Sequence, residues 1–155
     1  MYDEYTHGEY IISTDPAKLD IPAIYWYLTQ ESYWAQNISL ALVQKSIRHS
    51  FNFGVYAAGR QAGFARVVTD YATFALLCDV FILPPYRGLG LSKWLVSVIV
   101  AHPELQGLRR FSLYTKDAHS LYAAYGFKQI ADPTRAMEKK TPSPYGKQPN
   151  EPGIL

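Results

Sequence analysis

Residues 73–92, TFALLCDVFILPPYRGLGLS, constrain the fold more than any other stretch of the chain. The run up to Leu83 is nearly continuously apolar, the pattern of a strand in the middle of a sheet, covered on both faces. Pro84 lacks the N–H a strand would need, so the ladder ends there. Leu91, Trp94, Leu95, Val98 and Ile99 then recur at helical spacing, giving a helix with one apolar stripe that stops at His102 and Pro103. Strand and helix are thus joined by a bend holding Gly88 and Gly90, where several backbone N–H groups can converge without side chains in the way. Together with the positive end of the helix, this makes a nest for a phosphate or pyrophosphate. A tight turn without a ligand is the alternative. A Walker loop is excluded by spacing, and a dinucleotide fingerprint fails because Lys93 stands where its third glycine belongs.

Around this centre the pattern predicts further elements. Residues 9–14 read as a strand, and Asp20 with Pro22 opens a helix through about Gln30. Asn37 and Ser39 are capping candidates for a second helix whose Leu40, Val43 and Ile47 share a face. Phe51, Phe53, Val55 and Ala57 alternate as in a half-buried strand. A turn at residues 57–63 leads into an antiparallel meander, GFARVVT and then the apolar run, joined near Asp70 and Tyr71. RRFSLYT is another strand, and DAHSLYAAYGF a short helix stopped by Gly126. FKQI and RAMEKK are strand candidates. The strand, helix and strand between Ala72 and Thr115 form a parallel, right-handed crossover unit in an otherwise antiparallel sheet, an α/β (α+β mixed) fold. One domain over residues 1–140 is expected, followed by a proline-rich tail at 141–155.

Composition narrows the function classes. With 15 basic and 13 acidic residues and a formal charge of +2, the chain has no basic block, which speaks against a nucleic-acid binder. A single cysteine, Cys78, forms no internal disulfide, and with four histidines it offers no four-ligand zinc spacing, so no metal is expected. The acidic, polar N-terminus is neither signal nor transit peptide, and no apolar run reaches membrane-spanning length. A reducing cytoplasm and no membrane partner are therefore expected. Aromatic residues cluster between Tyr25 and Trp34 and suggest either a packed core or a pocket wall.

Two motifs carry a family resemblance. Arg87, Gly88, Leu89, Gly90, Leu91 and Ser92 resemble the [QR]-x-x-G-x-[GA] pyrophosphate loop of the GNAT superfamily of acyl-CoA-dependent N-acetyltransferases, with Ser92 where Gly or Ala is usual. Residues 117–127 resemble the late segment of the same family, a short helix ending in Y-x-x-x-G-F that begins at Tyr122. The similarity covers roughly residues 9–140 and points to a small, single-domain, bacterial-type member.

The resemblance implies a GNAT-like, mostly antiparallel twisted sheet with a parallel pair splayed at a cofactor cleft. It implies acetyl-CoA as cofactor, with the backbone of Val80, Phe81 and Ile82 pairing with its pantetheine arm and the glycine bend holding its diphosphate. Tyr122 is then the candidate general acid. Asp79 and Glu31 are candidates to take the amine's proton, with His119, one turn before Tyr122, a further one. Tyr25, Trp26, Tyr33, Trp34, Arg66 and Asp70 are candidates for the acceptor side, Arg66 suggesting an acceptor carboxylate if it faces inward. The expected partner is a small-molecule amine or a peptide, and the resemblance leaves room for a homodimer. A catalytically silent module that binds CoA as a sensor is the alternative.

Overall fold

The computed structural model describes residues 1–146 of the 155-residue chain. Six strands lie in one sheet in chain order: β1 (Glu4–His7), β2 (Tyr10–Ser13), β3 (Phe51–Ala57), β4 (Arg60–Thr69), β5 (Phe74–Ile82) and β6 (Arg110–Leu113). All neighbours are antiparallel except β5 and β6, which run parallel. The crossover between them is α3 (Leu91–Ala101), and α4 (His119–Ala123) follows β6.

The early helices are α1 (Ile21–Gln30) and α2 (Leu40–Arg48). Asp20 caps α1 by accepting the Ala23 N–H, with a proline in the first turn, and Ser39 caps α2 by accepting the Leu42 N–H. The sheet separates two cores. Phe53, Val55 and Val67 pack on one side with Leu95 and Ile99 of α3, while Phe64 and Phe81 meet Ile24, Leu28, Val43 and Ile47 of α1 and α2 on the other.

Several expectations from sequence are corrected here. The strand β1 went unseen because it lies at the sheet edge, where polar residues such as Glu4 and Thr6 face water. Gly8, with φ of 60°, closes its hairpin to β2. The strand β3 is covered on both faces rather than half buried, because helices close over each side of the sheet. The run in β5 lies next to the last strand rather than mid-sheet, and several of its residues are only partly buried. Neither FKQI nor RAMEKK forms a strand. Phe127 finds a partner in Phe111, but Ile130 and Met137 face solvent, and charged neighbours leave no apolar alternation to hold a strand on the sheet. Of the tail, residues 147–155 lie outside the described residues.

Candidate active site

The site begins with a fault in β5. Between the pairs Phe64↔Phe81 and Arg66↔Cys78, β5 advances three residues against two in β4, and the surplus is absorbed at Asp79, whose φ is 52°. Such a bulge bends a strand and sharpens its twist. Pairing with β6 ends at Leu77↔Leu113, while β5 continues to Ile82. The parallel pair therefore separates beyond the bulge, and the far end of β5 has an edge that β6 does not cover.

That edge borders a cleft of about 320 Å³, lined by Val80, Phe81 and Ile82 on one side and by Ala118, Leu121 and Tyr122 on the other. Its end is the bend before α3, where Gly88 and Gly90 have φ of 78° and 77°. No heavy atom lies within 4 Å of where a Cβ would stand at either glycine, and no side chain caps α3. The first N–H groups of α3 therefore have no side-chain cap, at a bend with open space around both glycines, and an acidic diphosphate fits such a cradle. Leu91 and Ser92 also line the cleft, whereas Leu89 points into solvent. Arg87 borders the cleft too, but its guanidinium folds back onto the end of β5. Nε donates to the Ile82 carbonyl at 3.1 Å and Nη2 to the Tyr27 hydroxyl at 3.3 Å.

Tyr122 is buried at the end of α4, its ring edge-on to Phe127 at 6.0 Å. Burial, with smaller contributions from Tyr33 and Asp117, pushes its hydroxyl up to about 12, so the phenol holds its proton throughout the neutral range. Burial likewise raises Tyr27, with Arg87 opposing and Glu31 and Asp117 adding to the rise.

A second cavity, of about 530 Å³, opens on the α1 and α2 side, lined in part by Trp34, Arg66 and Asp79. Asp79 and Val80 are adjacent in sequence, yet Asp79 borders this cavity and Val80 the cleft, so the bulged segment has one space on each flank. Each oxygen of the Asp79 carboxylate holds a partner, with Oδ2 accepting from Arg66 Nε at 2.7 Å and Oδ1 from Trp34 Nε1 at 2.9 Å. Arg66 does face inward, and its Nη1 donates to Ser50 Oγ. Burial opposes the charge of Arg66, but Asp79 outweighs it and holds the guanidinium above its ordinary value. The geometry makes Asp79 the anchor of a buried ion pair and an indole.

The other candidates divide. Tyr33 is exposed, meets Trp34 edge-on at 5.0 Å, and accepts the Lys116 N–H through its hydroxyl at 3.0 Å, tying the aromatic segment to the loop before α4. Tyr25 packs against the second core and Trp26 lies in solvent, so neither borders a cavity. Glu31 is exposed at the C-terminal end of α1, and His119 is exposed on α4. Asp70 is a turn residue. Its Oδ1 accepts the N–H groups of Ala72, Thr73 and Phe74 and its Oδ2 the Thr73 hydroxyl, which holds the carboxyl far below the usual carboxylate range. It belongs to the β4–β5 connection and to neither cavity. Sequence reasoning missed Tyr27, which stacks on Phe81 at 3.9 Å, and the face of α2 that carries Lys45 and His49.

Residues 48–129 match the Acetyltransferase (GNAT) domain family. A crystal structure of a GNAT-family acetyltransferase from Xanthomonas campestris pv. campestris is 52% identical, with a TM-score of 0.88 over 92% of this chain and 100% of that one. A Gibberella zeae protein named as an acetyltransferase is 32% identical over 140 residues, 76% of this chain and 78% of its own length. An acetyltransferase from Clostridium acetobutylicum, solved with acetyl-CoA, is 12% identical and shares the fold at a TM-score of 0.62 over 90% of this chain and 96% of that one. The chain thus belongs to the GNAT family of acetyltransferases and has its fold, a mixed sheet with one parallel pair flanked by helices. It is an acyltransferase.

Proposed function

We propose that the protein transfers an acetyl group from acetyl-CoA to a primary amine of a small molecule or peptide, at the bulge that the cleft and the second cavity flank. The observation that supports this best is the uncovered edge of β5 at residues 78–82, leading to a glycine bend at one end and facing Tyr122 across the cleft. Backbone groups of Val80, Phe81 and Ile82 are available there to hold an extended arm as an added strand would. The N–H groups of Gly88, Leu89, Gly90, Leu91 and Ser92 would hold its diphosphate, and Arg87 would swing from Ile82 and Tyr27 to add charge.

Acetyl-CoA supplies an activated acyl group: the amine nitrogen forms a C–N bond, the C–S bond breaks, and the thiolate leaves with the electron pair and needs a proton. Tyr122 supplies that proton or a strong hydrogen bond. A phenol at about 12 is a weak donor to a thiol with a reference value near ~8.5, but the same burial raises a thiolate's proton affinity and narrows the gap. The amine, neutral about one time in a thousand at pH 7 if its pKa is near ~10.4, must also lose a proton. With both oxygens of Asp79 engaged, Glu31 acting through water is the candidate acceptor of that proton. The test is release of free thiol from acetyl-CoA across a panel of amino acids, arylalkylamines, polyamines and short peptides. Acceptor-dependent release supports the reading, and tight CoA binding with no release from any acceptor would favour a cofactor sensor instead.

A further inference from the structure

Resting on that reading, we infer that the acceptor is an amine that also carries an anionic group on an apolar body, its acid held by Lys45 and Arg66 in the second cavity. Leu42, Lys45, Ser46 and His49 recur at i, i+3, i+4 and i+7, so one face of α2 lines the cavity. Opposite it stand Arg66 and Asp79 from the sheet. The cavity's charges are thus two permanent cations against one carboxylate, and that carboxylate is spent on Arg66 and Trp34.

What remains unpaired is positive. Lys45 has no ion pair among the described residues. Arg66 donates through Nε to Asp79 and through Nη1 to Ser50, which leaves its Nη2 edge without a partner among the described residues. A guanidinium edge and an ammonium lining one cavity suit a carboxylate, sulfonate or phosphate. Leu28, Ile38 and Leu42 supply an apolar wall for the body of the ligand, and the volume, about 530 Å³, suits a molecule of drug-like size. Tyr145, from the segment after residue 140, closes another side.

The same inventory disfavours polycations. A polyamine would bring a second ammonium into a space with no unengaged carboxylate among its lining residues, and a buried unpaired charge is costly. The reacting amine would lie at the Asp79 bulge, one residue from the cleft, with the acid toward α2.

The test uses the full chain, acetyl-CoA and matched acceptors that differ only in the acid: phenethylamine with phenylalanine, hexylamine with 6-aminohexanoate, and spermidine as the polycation. Thiol release should favour the acid-bearing member by roughly tenfold or more in kcat/KM, the range for a hydrogen-bonded charge. Lys45→Gln should shrink that preference to within about threefold, chiefly through KM, and leave the dissociation constant of acetyl-CoA unchanged. Equal use of both members, preference for spermidine, or a Lys45→Gln preference equal to wild type would each overturn the inference. Saturation-transfer NMR of the same pairs with CoA present reads the cavity without turnover. Binding of the acids alone supports the inference, even if no thiol is released and the acetyltransfer reading falls; binding of the plain amines alone overturns it.

Discussion

The two spaces that flank the β5 bulge are built from different material. The cleft is made of main chain: an uncovered strand edge, two glycines with positive φ and the start of a helix. The second cavity is made of side chains brought from α1, the loop after it, α2, the sheet and the segment around Tyr145. Main-chain construction suits a ligand whose chemistry does not change, because it depends on a short contiguous stretch and on few side-chain identities. Side-chain construction suits a ligand that differs between relatives, since each wall can vary without disturbing the bend. In this molecule one bulged residue, Asp79, borders the space built of side chains while its neighbour Val80 borders the one built of main chain.

The sharpest way to break that contrast is to damage one space and watch the other. Gly90→Glu forces a side chain into a left-handed conformation that costs an ordinary residue roughly 1–2 kcal/mol, and sets a carboxylate where the diphosphate would lie. Acetyl-CoA affinity measured by calorimetry should fall about a thousandfold, or ~4 kcal/mol, from strain and charge repulsion combined. Binding of an acid-bearing acceptor should be unaltered. An affinity for acetyl-CoA within threefold of the parent would remove the bend from the site.

The Arg66–Asp79 pair stands at the bulge, on the side of the second cavity, and should show the next largest effect. Its side chains are 16% and 10% exposed, so removing one partner strands a mostly buried charge. Arg66→Met should lower stability in urea titrations by about 3 kcal/mol, and the double replacement Arg66→Met with Asp79→Leu should regain much of it. If the single variant is as stable as the parent, the pair does not hold the bulge.

Within the cleft, Tyr122→Phe deletes one proton with little change of volume. Steady-state kcat should drop about a hundredfold while the acetyl-CoA dissociation constant stays within about twofold. Unchanged kcat would leave Tyr122 as a packing residue next to Phe127.

The same contrast explains what could be read before the structure. Pro84, Gly88, Gly90 and the stripe from Leu91 lie within one short stretch, so local rules were enough to find the strand, the bend and the helix. The residues around Tyr122 and Gly126 were legible for the same reason. The second cavity was not, because nothing local in Lys45 or His49 announces that their face of α2 turns toward Arg66 across the sheet. The apolar neighbours Val43 and Ile47 marked only the core side of that helix. The turn bonds of Asp70 were not legible because an acidic residue at a strand turn looks the same in sequence whether or not it accepts its own turn's N–H groups. The partners of Asp79 were not legible because Trp34 and Arg66 come from other elements.

The smallest expected effect sharpens the comparison through alkaline stability. Tyr122 has its hydroxyl raised from 10.0 to about 12, chiefly by burial, so the folded chain keeps a proton that the unfolded chain has lost between those values. More protons bound in the native state means that stability falls as pH rises; the contribution is complete below about pH 10 and is lost as pH climbs toward 12. One group can account for at most about 3 kcal/mol over those two units. Tyr5, Tyr27 and Tyr71 are raised by burial as well and act in the same direction, so the parent protein should unfold progressively above pH 10. Urea titrations at pH 8, 10 and 11 should show a shallower loss for Tyr122→Phe than for the parent, because the phenylalanine has nothing to ionise. Parallel losses would mean that the cleft around Tyr122 is wetter than its 9% exposure indicates, and its hydroxyl would then be an ordinary phenol with no special hold on its proton.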